Sequence, residues 1–502
     1  MKKILVVPQI SSKSVGGHVL LQKDSGFNLL VNMFKHLTDE LDIHWVFPFD
    51  LVDSDIENME QLTALLNVKE ENISIIAHTF TNAKAERMNF QINFWDWFKK
   101  KHVFSFDYVF VAEPTHVLNY KEVFPDAKII TYNSWLAFKT MPNIHLRQFE
   151  GMCAADLTLV NSNYTISQIL NFYKEYPDVL KLNIRKLEPS FDSKLKQNCQ
   201  LKTMKNNKMG IIYNHRLSED PYYATAFKYL VEAMKGLESV IGTNNMPDVY
   251  LTNPSGKSTE MLKQLPYYFK VVEFATQDEY NEFLRSKRVF VHLNTFFDSE
   301  GMWSMSTVEA AVNGNICLLP KKYGYAEIFE PTYHGYCDDV SEMINKLIVI
   351  YGCAKDDGFD KNVYSTRKVL QYDGIAMAYK LYGMINELLS EGKLVHKPWG
   401  SFEVLSHEHN RWVKYLHIKK GSSLSLQKHK YRDEHWIVVE GECVAVVGDE
   451  ELTMKAGECC YIKKDKVHSI HAQTDVTILE YASGELVHEA DIERLADKYG
   501  RN

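Results

Sequence analysis

Four side chains in the last fifth of this 502-residue chain have the types and spacing to hold a metal ion. Gln427 and His429 stand two apart in GSSLSLQKHKYRDEHWIVVEG, residues 421–441, and on a strand that spacing puts both on one face. Glu434 follows in the same stretch, and His468 lies in GECCYIKKDKVHSI, residues 457–470. Two imidazoles, one carboxylate and one amide oxygen suit a divalent cation such as zinc or manganese, with positions left open for a substrate. His429 alone reads more simply as part of a charged surface hairpin; the ensemble reads as a metal centre.

The flanking residues carry a resemblance. KPWGSFEVL (397–405), SLQKHKYRDEHWIVVEGE (425–442) and DIERLADKYGR (491–501) resemble the C-terminal cupin of type II mannose-6-phosphate isomerases. The resemblance implies a small all-β barrel with Gln427, His429, Glu434 and His468 as metal ligands from neighbouring strands. It also implies aldose-ketose isomerisation of a phosphorylated sugar, with Arg432 and Arg501 at positions expected to contact phosphate or substrate. Lys414, His435 and Glu480 are the candidates for moving a proton between C1 and C2 through an enediol. Lys463 and Asp465 replace the family's usual Pro and Gly, and Ala472 its Asn. These departures leave the ligands intact and bear on the substrate. The alternative is a barrel that holds a sugar without turning it over.

Ahead of this segment, short apolar runs alternate with helix-length stretches. ILVV (4–7), IHWVFP (43–48), ISIIAH (73–78), YVFVAE (108–113), KIITYN (128–133) and LTLVNS (157–162) form one series. MGIIYN (209–214), DVYLTN (248–253), FKVVEF (269–274), RVFVHL (288–293) and NICLLP (315–320) form a second, after a polar, lysine-rich stretch at 192–208. Such alternation predicts βα units and parallel sheets. The expected fold is α/β, two Rossmann-like domains over 1–190 and 191–391, followed by a cupin (jelly-roll barrel) over 392–502. A long helix from about Lys361 to Leu389 is expected to cross back, and Gly392–Lys397 to act as a linker.

Two such domains resemble the GT-B glycosyltransferases. Asp298–Gly314, DSEGMWSMSTVEAAVNG, is similar to the acidic donor motif of the family-4-like retaining enzymes. This implies that Glu309 binds the nucleotide ribose, with Glu300 and Gly301 nearby; the glutamates stand one residue further apart than in the family. SVGGH (14–18) supplies Gly16 and Gly17 in a turn that lets backbone approach phosphate or sugar. LVNSNYTISQIL (159–170) resembles the strand, serine and helix that close the first domain. YNHRL (213–217) places Arg216 where the family sets an arginine against the donor diphosphate, a role suited to a forked, fixed cation. Pro221 occupies the usual lysine position, and Lys257 in NPSGK is the substitute candidate. His116, in AEPTH after a strand, is the candidate facing the acceptor. The donor implied is a UDP- or GDP-sugar.

Asn-His-Arg at 214–216 is also similar to a branch of that family that glycosylates nucleic-acid bases, including bacteriophage enzymes acting on hydroxymethylated pyrimidines. Lysines and arginines between 181 and 208, and Trp95, Trp97 and Phe98 beside Lys99–Lys101, make a DNA or RNA acceptor the leading expectation. Solvated helix and linker faces are the plainer reading of these charges. A polysaccharide, protein or small-molecule acceptor stands close behind.

Composition sets the bounds. At 45% hydrophobic and 24% charged, with net charge -8, the chain is an ordinary globular protein and not one basic enough to coat nucleic acid. Eight scattered cysteines fit a reducing cytoplasm, the host's if the protein is viral. No apolar run approaches a membrane span. A homodimer through barrel edges is expected. The type II isomerase cupin usually accompanies a nucleotidyltransferase, whose Gly-rich signature is missing from 1–390. The composite expectation is a glycosyltransferase fused to an isomerase that supplies its sugar from mannose 6-phosphate or a pentose 5-phosphate.

Overall fold

β-Branched and aromatic runs become the strands of two parallel sheets. The computed structural model describes residues 1–9, 20–22, 24–47, 54–75, 105–133, 142–203, 209–217, 220–252, 262, 265–298, 301, 303–352, 360–390, 394–408, 411–484, 487 and 491–500. The first sheet contains β1 (Lys2–Val7), β2 (Leu41–Phe47), β3 (Ile73–Ile75), β4 (Tyr108–Val111), β5 (Lys128–Asn133), β6 (Leu157–Val160) and β7 (Ile184–Lys186). The second contains β8 (Gly210–Tyr213), β9 (Val249–Thr252), β10 (Phe269–Val272), β11 (Val289–Leu293), β12 (Ile316–Pro320) and β13 (Tyr336–Cys337). Strands β4, β6, β8, β11 and β12 are buried at every residue, as sheets covered on both faces require.

The strand orders are β3-β2-β1-β4-β5-β6-β7 and β10-β9-β8-β11-β12-β13. In each, the order reverses beside the first strand, between β1 and β4 and between β8 and β11. The crevice outside the carboxyl ends of the strands at such a reversal is where open α/β sheets bind ligands. Helix Pro221–Ile241 follows β8; Asp220 caps it, Pro221 begins it, and Ala226, Phe227, Leu230, Ala233, Met234 and Leu237 line its buried stripe.

The C-terminal strands are antiparallel. They are β14 (Leu394–Lys397), β15 (Gly400–Glu408), β16 (Arg411–Ile418), β17 (Leu426–His429), β18 (Arg432–Glu440), β19 (Glu442–Val447), β20 (Glu450–Lys455), β21 (Cys459–Ile462), β22 (His468–Ala472), β23 (Val476–Gly484) and β24 (Ile492–Ala496). They form two sheets, β14-β15-β16-β23-β18-β21 and β20-β19-β22-β17-β24, consistent with a cupin. Burial alternates along β16 and β18, and Trp436, Val438, Ile462, Ile470 and Ile478 belong to the core.

The structure corrects several expectations. Leu394–Lys397 is strand β14, paired with β15, and not a linker. The segment from Lys361 consists of short 3-10 turns, Lys361–Tyr364 and Arg367–Tyr372, before a helix at Gly374–Ser390. The break has a cause: Asp373 bridges to Phe191, accepts from the Ile375 N–H at 3.0 Å and pairs with Lys196 at 2.8 Å. A Cβ on Gly374 would lie 2.4 Å from the Asn32 carbonyl oxygen. Half of the basic cluster at 181–208 is consumed internally. Arg185 pairs with Glu387 at 2.6 Å, Lys186 with Glu188 at 3.2 Å and Glu327 at 3.4 Å, and Lys196 with Asp373. Lys202 donates to the carbonyls of Leu284, Ser286 (3.0 Å) and Val289 (2.9 Å) and to Asn315 Oδ1 (2.7 Å). The aromatic and basic stretch 95–101 lies outside the described residues.

The chain divides into two compact units, Met1–Ala154 with Leu159–Val179 and Lys186–Ala378, and Ala155–Thr158 with Leu180–Arg185 and Tyr379–Asn502. Inside the first, Glu327 accepts from the N–H groups of Asn163 (3.0 Å) and Tyr164 (2.8 Å), the first residues of helix Asn163–Phe172. Among the described residues, no helix is long and apolar enough to cross a membrane.

Candidate functional site

Alternation along β18 turns Arg432, Glu434 and Trp436 inward, and β17 and β22 bring His429 and His468 to the same place. His429, Glu434 and His468 are buried, and one ligand atom from each lies within 4.8 Å of the others. Glu434 Oε1 is 3.1 Å from His429 Nε2, and Oε2 is 3.6 Å from His468 Nε2. His468 Nδ1 faces the Lys466 carbonyl at 2.8 Å, and His429 Nδ1 faces the Asp491 carbonyl at 3.4 Å. With Nδ1–H donating to a carbonyl, each ring turns the lone pair of Nε2 inward. Those two nitrogens are 3.1 Å apart. Two lone pairs that close repel unless a cation lies between them, so the donor set fits a divalent metal.

Gln427 stands differently from its expected role. Its amide nitrogen is 3.4 Å from His429 Nε2, while its oxygen accepts from Ser425 Oγ at 2.6 Å. Turning the amide over would present the oxygen to the same point. Burial opposes ionisation of Glu434, yet the Arg432 guanidinium and then the His429 and His468 imidazoles hold its carboxyl well below the usual carboxylate range. Burial also lowers His468, which keeps the imidazole neutral for coordination.

Beside the ligands lies a second buried layer. Lys414 on β16 is opposite Glu480 on β23, and Glu480 is opposite Trp436. Glu480 accepts from the indole N–H groups of Trp412 (3.0 Å) and Trp436 (3.1 Å). The Lys414 ammonium lies 3.2 Å from the Trp412 ring centroid, a cation-π contact. His435 is corrected: one residue on from Glu434, it is exposed on the outer face against Tyr461 and Tyr481. Arg501 lies outside the described residues.

The second sheet's reversal point gathers another polar group. Asn214, His215 and Arg216 follow β8, and the first two meet helix Met305–Val312, capped by Ser304. Asn214 Nδ2 donates to the Ser306 carbonyl at 3.2 Å and to the Tyr280 hydroxyl. His215 Nδ1 is 3.2 Å from Ser306 Oγ, and His292 Nε2 is 2.9 Å from Thr307 Oγ1. Gln277 donates to Glu309 at 3.3 Å. Burial pushes Glu309 up to about 7 and pulls His215 down to about 3. Arg216 is exposed, its guanidinium 5.8 Å from the Tyr223 ring centroid. Gly301 has a packing reason to be glycine: an added Cβ would come 1.7 Å from the Tyr325 hydroxyl. In the first sheet, His116 closes a turn after β4, and burial, then Arg147, pulls it down to about 3. Gly16, Gly17, Lys257 and Glu300 lie outside the described residues.

Known proteins divide along the same lines. Residues 386–497 match the family of the mannose-6-phosphate isomerase C-terminal region. The isomerase-like barrel is 38% identical over 109 residues to the alginate biosynthesis protein AlgA of Pseudomonas aeruginosa, covering 21% of this chain and 23% of that protein. It is 31% identical over 109 residues to the mannose-1-phosphate guanylyltransferase of Escherichia coli, again 21% and 23%. The chain thus spans about a quarter of the length of the curated relatives it matches. The fold of the rest is similar to Anabaena Alr3699/HepE. The complex with UDP-glucose matches at TM-score 0.51 and 13% identity, covering 78% of this chain and 100% of that one. The complex with UDP and glucose matches at TM-score 0.52 and 10% identity, covering 77% and 100%.

Sequence reasoning missed the carbonyls of Asp491 and Lys466, which orient the two histidines, and the Asn214, Tyr280 and Gln277 group around Glu309. The alternation that places Glu434 inward was a signal that His435 faces out.

Proposed function

We propose that the chain is a two-activity sugar enzyme: a GT-B glycosyltransferase over 1–391 and a metal-dependent aldose-ketose isomerase of sugar phosphates over 392–502. In this reading 1–190 is the acceptor side and 191–391 the donor side. One observation carries the isomerase: two buried imidazoles and a carboxyl group converge inside a barrel that matches the isomerase family. Gln427, His429, Glu434 and His468 would hold the metal, which supplies Lewis acidity toward the carbonyl and hydroxyl oxygens of the sugar. Isomerisation removes the proton from C2 and returns one to C1, while O2 loses a hydrogen and O1 gains one. Lys414 and Glu480 face each other from β16 and β23 and are the interior acid and base for those transfers. Arg432 adds a fixed positive charge toward an anionic substrate.

The transferase reading is supported by the HepE-like fold and by the group at the β8/β11 reversal. Glu309 would meet the ribose hydroxyls of a UDP- or GDP-sugar. Arg216, Lys257 and the N–H groups of Met305 and Ser306 would balance the leaving diphosphate; Gly16, Gly17, Glu300 and Gly301 would also serve the donor, and His116 the acceptor. A nucleic-acid base remains one acceptor; the internal pairing of Arg185, Lys186, Lys196 and Lys202 favours a saccharide or small molecule instead. A barrel that binds sugar phosphate without turnover is the second reading, favoured by Asp465 at φ 65 in a position where the isomerases have glycine.

Proton NMR in deuterated water with the zinc- or manganese-loaded protein tests the isomerase. Ketose formation from mannose 6-phosphate or arabinose 5-phosphate, with deuterium entering at C1 of the ketose and at C2 of the recovered aldose, supports it; no exchange with either leaves the binding barrel. Release of UDP or GDP from nucleotide sugars tests the transferase.

A further inference from the structure

Arg432 occupies an unusual place, because its donors engage the very atoms a metal needs. Its Nε is 2.8 Å from Glu434 Oε1, and its Nη2 is 3.2 Å from His429 Nε2. Both are ligand atoms, and the second has one inward lone pair to give. A guanidinium spans two such acceptors in one plane, which a lysine ammonium does less well. The side chain is buried with its Cζ 4.7 Å from the Trp412 ring centroid, so the charge is held among the ligands and away from water.

A second carboxylate stands beside it. Asp491 Oδ2 is 3.6 Å from Arg432 Nη1. Its oxygens are fixed by the N–H groups of Lys430 (3.1 Å) and Tyr431 (3.3 Å), the two residues between His429 and Arg432. The same residue's backbone carbonyl faces His429 Nδ1. A small rotation of the guanidinium therefore exchanges one buried carboxylate for another without exposing the charge.

We propose that Arg432 is an internal counter-cation that a metal must displace, and that Asp491 receives it. Arg432 neutralises Glu434 while no metal is bound; metal entry transfers it to Asp491, where it faces the site as a positive charge. An anionic sugar phosphate that pairs with the transferred guanidinium holds it off the ligands. Metal and sugar phosphate then bind with positive coupling, and by linkage each raises the affinity for the other. This rests on the metal-centre reading above and adds to it a control on metal affinity.

Zinc affinity of the full chain, measured by competition with a fluorescent chelator, tests both ideas separately. His429→Ala should remove zinc binding; if it leaves the affinity of the unmodified protein unchanged, the metal-centre reading itself fails. Arg432→Met should bind zinc about tenfold more tightly, the worth of charge-assisted hydrogen bonds no longer lost on binding. Arg432→Lys should do so by less, which keeps a readout if the methionine variant folds poorly. Asp491→Asn should weaken binding in the unmodified chain and change it less in the Arg432→Met background. Mannose 6-phosphate should tighten zinc binding in the unmodified chain and not in Arg432→Met. Intact zinc binding with equal or weaker affinity in both Arg432 variants overturns the proposal and makes Arg432 a support of the ligands. Absence of any effect of mannose 6-phosphate on the unmodified chain overturns the coupling.

Discussion

The barrel and the second parallel sheet both gather histidines and a glutamate at one point, but they leave the carboxyl groups in opposite states. Glu434 is ionised because Arg432 and two imidazoles outweigh the cost of its burial. At the β8/β11 reversal, burial dominates: it raises Glu309 to about 7 and lowers His215 and His292. A carboxylate held ionised beside two imidazoles is a donor set for a cation. A nearly neutral carboxyl among amide, hydroxyl and imidazole groups is a partner for uncharged hydroxyls, such as those of a ribose. The same residue types thus stand in two electrostatic states, and neighbouring charge decides which.

The strongest way to break this comparison is Glu434→Gln. It removes the charge that pairs with metal and Arg432, and should cost about 3–5 kcal/mol of binding, or roughly a hundredfold or more in zinc affinity. Nucleotide-sugar affinity, measured by calorimetry on the same variant, should not move.

Next in size is Lys202→Met, which removes a shared donor from four oxygens beside the second sheet, the Leu284 carbonyl keeping the Asn315 amide. It should destabilise that part of the chain by about 3 kcal/mol, seen as a lowered thermal midpoint, while zinc affinity holds.

Glu309→Gln sharpens the contrast through pH. Because the folded protein binds the Glu309 proton more tightly than the unfolded chain does, stability should fall as pH rises from the ordinary glutamate range, 4.5, to about 7, and stay low above it. That slope, about 3 kcal/mol in full, should flatten in the variant when urea unfolding is followed from pH 5 to 8. A slope unchanged by the substitution would place the titration elsewhere.

The smallest effect belongs to His435→Ala. Facing away from the ligands, it should leave zinc affinity and deuterium exchange within about twofold.

What could be read from the sequence follows from how local each signal is. Gln427, His429 and Glu434 fall within eight residues, and the alternation that positions them is written along two successive strands, β17 and β18. Strands such as Tyr108–Val111 announce themselves by unbroken apolar runs, whereas β7 and β13, three and two residues long, are too short to show a pattern. The pairing within the lysine-rich stretch could not be read because the partners lie far away in the chain: Glu327 for Lys186, Glu387 for Arg185, Asp373 for Lys196. The groups orienting His429 and His468 are backbone carbonyls, which carry no letter in the sequence.

Glu327 sets two helix starts apart. The start of a helix attracts phosphate because its first N–H groups have no partners of their own. At Asn163 and Tyr164 those groups already hold a carboxylate supplied by the chain, so an incoming phosphate meets a like charge in the seat it would take. The helix beginning at Met305 is capped, among the described residues, by the Ser304 hydroxyl. The two helix starts thus differ in charge: a carboxylate of the chain closes one, and a neutral hydroxyl caps the other.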